Sequence, residues 1–330
     1  MAAPVASGRT ESELPGSEGW RQLSLGGLTV PAAADGSGNF PPEGEPEHRR
    51  LGFFPMTADE QSTGAAGSSQ PAGWDPATYL RYAGERARPF VDLLSRVAAV
   101  APDSVVDLGC GEGALTASLA QRWPGARVTG IDSSPSMLAA AATHAVPGRV
   151  EFVAGDVRDW APDAPVDVVV SNAVLHWVAG HDAVLTRCAG WLRPGGWLAV
   201  QVPGNFRAPT HALLAELCLS PRWASLLDAA APRPDTVLEP AGYLDVLTAA
   251  GLSSDVWETT YLHVLSGSDP VLGWVRSTVL RPVLALLPDD EAAEFTAEYA
   301  AALRAAYPAR PDGTTLLPFR RVFAVGSRPS

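Results

Sequence analysis

Lysine is missing from the chain altogether; all 24 basic side chains among its 330 residues are arginine. Any anion must therefore be recognised by arginine, histidine, hydroxyls or backbone amides. The same bias, with its excess of Ala, Gly and Pro, is what a GC-rich coding sequence produces. Positive charge is scarce as well: the net charge is −12, which argues against nucleic acid, because phosphate contacts need clustered cations. Cysteine is nearly absent. Cys110, Cys188 and Cys218 are odd in number and lack metal-ligand spacing, so a reducing cytoplasm is expected and a metal site is not. No uncharged apolar run reaches the roughly 18–20 residues of a membrane span, and the start MAAPVASGRTES has no signal-peptide core. What is present, 46% hydrophobic and 18% charged residues, is enough for one large core or two modest ones.

Residues 1–73 differ from the rest. They are rich in Gly, Pro, Ser, Ala and Glu, with nine acidic residues against four arginines, and their apolar residues come in islands such as Leu23–Val30 and Leu51–Met56. Such a segment buries too little surface to offset its ordering entropy, so a disordered extension is expected, with Met56 as an alternative start.

The densest signal is Val105-Val-Asp-Leu-Gly-Cys-Gly111, an apolar run that ends in an acid and a glycine turn before a helical pattern at 113–123. A buried parallel strand followed by glycines lets a nucleotide-like ligand lie against the main chain at a helix N-terminus. Gly109, Gly111 and Ala114 loosely satisfy a dinucleotide fingerprint. Asp107, however, stands two residues before the first glycine, where a carboxylate suits a cationic ligand better than a pyrophosphate. Asp132 ends the next apolar run (Arg127–Asp132), Asp156 a third (Val150–Asp156) and Asn172 a fourth (Val166–Asn172). Polar residues thus close four successive strand-like segments, at the edge where open α/β sheets bind ligands.

The remaining pattern extends this unit. A helix is expected over 76–100, kinked or divided at Pro89. Further helices follow at 135–143, 181–192 and 240–250. Strands are expected at Trp197–Val202 after an Arg193–Gly196 turn, at Val256–Leu265 and at Arg321–Ser327. Residues 205–238 are Pro-broken. Residues 269–306 hold two helical stretches, with Pro282 and Pro288 as breakers. The fold class expected is α/β: a doubly wound, seven-stranded, mostly parallel sheet with a helical cap from 205–238 and 269–306 over its ligand edge.

The strand-end series resembles the class I S-adenosylmethionine-dependent methyltransferases over residues 74–330, and more narrowly the trans-aconitate 2-methyltransferase family. The narrower resemblance rests on Trp74-Asp75-Pro76, Tyr79-Leu80, Glu85-Arg86 and Arg88-Pro89, then on Gln121–Pro124 and Gly130–Pro135. It continues in Ser171-Asn172-Ala173 with Leu175 and Trp177, in Thr259–Tyr261, in Leu280–Pro282 and in Arg321–Phe323. The chain departs from the pattern at His176, where glutamine is expected, in the extension 1–73, and over 205–238. The resemblance implies S-adenosylmethionine as cofactor. Asp107 and Gly109-Cys110-Gly111 would meet its amino acid end, Asp132 its ribose, and Asp156 and Val157 its adenine, with Ser133, Met137 and Asn172 completing the set.

The implied acceptor is one carboxylate of trans-aconitate or a related small polycarboxylate. A carboxylate with a pKa of about 4 is ionised at neutral pH and needs no general base, so no catalytic side chain is expected, and Cys110 contributes backbone only. Alignment and exclusion of water carry the rate. The trianion requires a local cationic pocket, for which Arg88, Arg281 and Arg321 match family positions, lined by Tyr79, Trp177, Tyr261 and His263. Three alternatives stay open on sequence alone: a hydroxyl or carbon acceptor with His176 as base, a nicotinamide-dependent oxidoreductase, and a binding protein without catalysis.

Overall fold

A computed structural model describes residues 83–234 and 237–330. By its contacts the chain divides into Met1–Ala66 and Gly67–Ser330, and all described residues belong to the second unit. The expected extension 1–73 and Tyr79 lie outside the described residues.

The chain begins with α1 (Ala83–Leu94), then alternates β1 (Ser104–Leu108), α2 (Ala114–Arg122), β2 (Arg127–Asp132), α3 (Pro135–Ala141) and β3 (Val150–Ala154). It continues through β4 (Val166–Asn172), α4 (His181–Trp191), β5 (Leu192–Pro203), α5 (Pro209–Cys218) and α6 (Ala224–Leu227). The last elements are α7 (Pro240–Ala249), β6 (Ser253–Leu265), α8 (Pro270–Arg276), α9 (Arg281–Leu284), α10 (Asp289–Ala306) and β7 (Thr315–Ser327). The strands form one seven-stranded sheet in the order β3-β2-β1-β4-β5-β7-β6. Only β7 runs against its neighbours. The strand order reverses between β1 and β4, which places the ligand crevice of this topology above those two strands.

Both faces are covered, which is why the central strands read as unbroken apolar runs. One face packs Val106, Leu108, Val169, Leu198, Val200 and Val322 against α4 and α7. The other packs Val105, Val168, Val170, Ala199, Phe323 and Tyr261 against Phe90, Leu93 and Leu94 of α1 and Leu119 of α2. A third cluster, with Leu214, Trp223, Trp274, Phe295 and Tyr299, joins α5, α8 and α10 to Leu265 and Leu317. This is the helical cap. It sits on a ribbon of β6 and β7 that keeps pairing through Leu265↔Thr315 after β5 has ended at Pro203↔Arg321, so it stands at the C-terminal edge of the parallel strands.

Four local expectations are corrected. Helix α1 runs through Pro89 undivided. Proline inside a helix costs ~3 kcal/mol or more, and burial of Pro89 and Phe90 against the sheet offsets it. The turn at Arg193–Gly196 lies within β5 as an irregularity, where the register jumps between Val166↔Leu192 and Val168↔Trp197 and Gly195 adopts φ 77°. Strand β7 begins at Thr315 rather than Arg321. The interval 269–306 holds three helices, because Pro282 lies in the first turn of α9 and Pro288 caps α10, so both prolines begin helices.

Candidate functional site

The turn after β1 is built from its backbone. Gly109 and Cys110 N–H both donate to the Ile131 carbonyl, at 2.7 and 2.9 Å, and Gly113 N–H donates to the Cys110 carbonyl. Gly109, Gly111 and Gly113 all lie at positive φ, which side chains resist. They are not equivalent, however. A Cβ at Gly109 would overlap the Val174 side chain, and one at Gly113 would meet Phe152 and Ala141 at 2.7–2.8 Å. One at Gly111 would meet nothing within 4 Å. The space kept clear of side chains therefore lies over Gly111, beside Asp132.

Asp132 braces that turn. Its Oδ2 accepts from Gly111 N–H at 2.9 Å and its Oδ1 from Ser134 N–H at 2.8 Å. Ser134 caps α3 by accepting from Met137 N–H at 3.4 Å, with Pro135 at the first helical position. Asp107 is 3% exposed and accepts from the Thr116 hydroxyl at 2.6 Å. Burial pushes its carboxyl up to about 6 against the lowering effect of Thr116, and the nearby Asp132 charge adds to the rise. The Cys110 thiol is pushed up to about 12 by burial and by Asp107 and Asp132, so it is no nucleophile. Val157 is buried, and Asp156 accepts from the Arg158 side chain and backbone, which holds its carboxyl down to about 2. Asn172 leads into Ala173, a non-glycine residue at φ 57° whose N–H is held by the Gln201 carbonyl at 2.8 Å. Strain of this kind concentrates at functional sites. The Asn172 Oδ1 is buried without a partner.

Strand alternation puts Asp107, Asn172, Gln201, Arg321, Tyr261 and His263 on the same sheet face as Val170, Ala199 and Phe323. This is the face covered by α1. Arg321 is buried, donates from Nη1 to Gln201 Oε1 at 3.3 Å and lies 4.7 Å over the Phe319 ring. Tyr261 is buried and donates to Asp92 of α1 at 2.6 Å, while the Arg88 guanidinium sits 5.0 Å over its ring and 3.9 Å from Asp92. Burial and the Asp92 carboxylate raise the Tyr261 phenol, and the Arg321 and Arg88 charges oppose that rise, so both cations act on one hydroxyl.

His176 follows β4 in the short helix Leu175–Trp177 and has a buried Nδ1 without a partner. Burial, with Arg321, His211 and His181, holds the imidazole down to about 3, so it is neutral at physiological pH. Trp177 is 61% exposed beside it, and Phe206 and His211 extend the aromatic wall at ring distances of 6.3 and 5.0 Å. His263 packs against Trp274 of the cap at 4.4 Å.

The structure thus gathers Arg88 of α1 with Tyr261 and Arg321 of the sheet face it covers. It does not gather Arg281, which is exposed on α9 and makes no side-chain hydrogen bond or ion pair among the described residues. Sequence reasoning missed Gln201, Phe206 and His211. For Gln201 the signal was there: it is the one polar residue in the run Trp197–Val202. Among the described residues no cluster of His, Cys, Asp and Glu could hold a metal ion, and no helix is long and apolar enough to cross a membrane.

Comparison with known proteins bears on what occupies this site. A family model described as a methyltransferase domain matches residues 105–196. A Streptomyces avermitilis protein named trans-aconitate 2-methyltransferase is 54% identical over 261 residues, covering 77% of this chain and 97% of that protein. A Mycolicibacterium gilvum protein of the same name is 55% identical over 253 residues, covering 76% of this chain and 98% of its own length. Among solved structures, the YcgJ protein from Bacillus subtilis is similar with a TM-score of 0.50 at 15% identity, covering 74% of this chain and 99% of that one. That likeness speaks to the fold.

Proposed function

The chain belongs to the trans-aconitate 2-methyltransferase family, and on that premise we propose that it forms the monomethyl ester of trans-aconitate or a closely related small polycarboxylate. It is an S-adenosylmethionine-dependent methyltransferase, and the family sets aside the nicotinamide reading of Gly109–Ala114. The residues present fit the cofactor. Gly111 leaves open space where a nucleoside would lie against the main chain, and Asn172 offers a buried acceptor without a partner. Asp107 then meets the cofactor ammonium, with Gly109 and the Cys110 backbone beside it. Asp132 and Ser133 serve the ribose, and Asp156, Val157 and Met137 border the adenine. When bound, the cofactor supplies a methyl group already activated by a positive sulfur.

The acceptor side needs no base. Arg321 and Arg88 bind and orient carboxylates, Tyr261 lines the pocket between them, and Trp177 and His263 enclose it. Arg281, exposed on α9 of the cap and apart from these contacts, stays in the proposal only as a family-matched carboxylate ligand. A single observation carries the carboxylate reading over a hydroxyl or carbon acceptor. Two imidazoles of this wall, His176 and His211, are held neutral by burial with their basicity depressed to about 3 and about 4, while a buried arginine stands close to His176. A weak base beside a fixed cation suits an acceptor that is already ionised. Three free, buried cysteines accord with action in a reducing cytoplasm.

The test is steady-state turnover of the full chain with S-adenosylmethionine and a panel of acceptors. Tricarboxylates and dicarboxylates are expected to be methylated, and alcohols of similar size are not. Turnover confined to the alcohols would overturn the carboxylate reading.

A further inference from the structure

Gln201 is fully buried at the C-terminal end of β5, in register with Asn172 of β4. Its amide has a fixed orientation, because arginine only donates: Arg321 Nη1 points at one end of the amide, so that end is the oxygen, Oε1. The other end is the Nε2 amide, two N–H donors with no partner in the described structure. A buried donor left unsatisfied is costly, and such groups in native proteins call for an explanation. The Asn172 Oδ1 on the neighbouring strand and the His176 Nδ1 in the short helix after β4 are also buried without partners, so unsatisfied polar groups gather at the ligand edge.

We propose that Gln201 is a specificity-determining residue, whose Nε2 donates to an oxygen of a substrate carboxylate while its Oε1 holds Arg321 against the same anion. The inference rests on the carboxylate acceptor proposed above and deepens it. A donor-only amide end beside a buried guanidinium selects an acceptor-only partner, and an ionised carboxylate is the acceptor-only group of a small acid. A hydroxyl acceptor would leave part of that donor capacity unmet, which is how buried polar sites discriminate. Gln201 thus has two tasks, positioning Arg321 and contacting substrate, and the two can be separated.

Gln201→Glu keeps the oxygen that Arg321 uses and exchanges only the N–H donors for a negative oxygen. Gln201→Met keeps the shape and removes both. Measured with trans-aconitate and S-adenosylmethionine, Gln201→Met is expected to raise KM about tenfold and Gln201→Glu about a hundredfold. In both variants kcat should stay within threefold, and calorimetric affinity for S-adenosylhomocysteine should be unchanged, as expected when ground-state binding is lost. A merely structural role reverses the order, since glutamate still holds Arg321 and methionine does not. A Gln201→Glu KM at or below that of Gln201→Met, or either KM within twofold of wild type, overturns the proposal. If methionine unfolds the chain, the glutamate variant alone decides it by the same threshold. Wild-type turnover separates the two levels: no methylation of any carboxylate by the parent chain would sink the acceptor reading, whereas wild-type turnover with unmoved variants sinks only the role of Gln201.

Discussion

Tyr261 of β6 donates a 2.6 Å hydrogen bond to Asp92 of α1, a polar tie added to the apolar packing between the helix that carries Arg88 and the sheet face that carries Arg321. Tyr261→Phe keeps the ring under the guanidinium and removes the tie. A hydrogen bond to a charged partner contributes roughly 1.5–3 kcal/mol at most, and Asp92 is partly exposed, so a loss of about 1 kcal/mol in urea unfolding is expected. KM for the acid should rise several-fold while cofactor affinity holds. Unchanged stability and KM would show that the contact positions nothing.

The two glycines of the turn should separate folding from binding. Gly109→Ala drives a Cβ into Val174 and should lower stability substantially. Gly111→Ala meets no atom, and its left-handed φ costs only ~1–2 kcal/mol. Its main effect should be on ligand approach: S-adenosylhomocysteine affinity is expected to fall at least tenfold while the thermal midpoint moves by only a few degrees. Calorimetric titration of both variants, beside thermal melts, checks the contrast.

Asp107 gives the site a pH signature. Its folded-state pKa, raised by burial to about 6, exceeds the usual value of 3.8. The folded chain therefore holds this proton longer than the unfolded chain does, and the contribution of this group to stability falls as pH rises from about 4 to about 6. The shift corresponds to about 3 kcal/mol at the upper end. A cationic ligand beside the carboxylate favours its charged form, so cofactor affinity should weaken as pH drops below 6. Asp107→Asn should flatten that dependence. A wild-type affinity that is level from pH 7 to 5 would remove Asp107 from the ammonium site.

How far these features could be read from the chain depends on which interaction fixed them. The crevice was legible because β1, β2 and β4 are covered on both faces, so their apolar runs end visibly at Asp107, Asp132 and Asn172. The β6–β7 ribbon was less so: β7 starts before the expected Arg321 and takes in Pro318, which pairs with Leu262 beyond the end of β5, where no third strand needs its missing N–H. Pro89 misled in the opposite direction, because only tertiary burial shows why a helix runs through it. Gln201 needed the register to bring it beside Arg321. Arg281 matched a family position by sequence, and its exposure on α9 could be seen only in the fold.

His176 should be dispensable for chemistry. With its imidazole depressed to about 3 by burial and by Arg321, it has no titration to contribute between pH 6 and 9. The expected kcat profile is flat over that range for wild type and for His176→Ala alike. A sigmoidal wild-type profile that the variant abolishes would restore it as a base and favour a hydroxyl or carbon acceptor.

The most direct trial is mass spectrometry of the products formed when the full chain is incubated with S-adenosylmethionine and trans-aconitate. Equal amounts of S-adenosylhomocysteine and a monomethyl ester are expected, with neither formed when the acid is left out. Cofactor consumed without any ester, or no consumption although calorimetry detects cofactor binding, would contradict the assignment of this sheet face to carboxylate methylation.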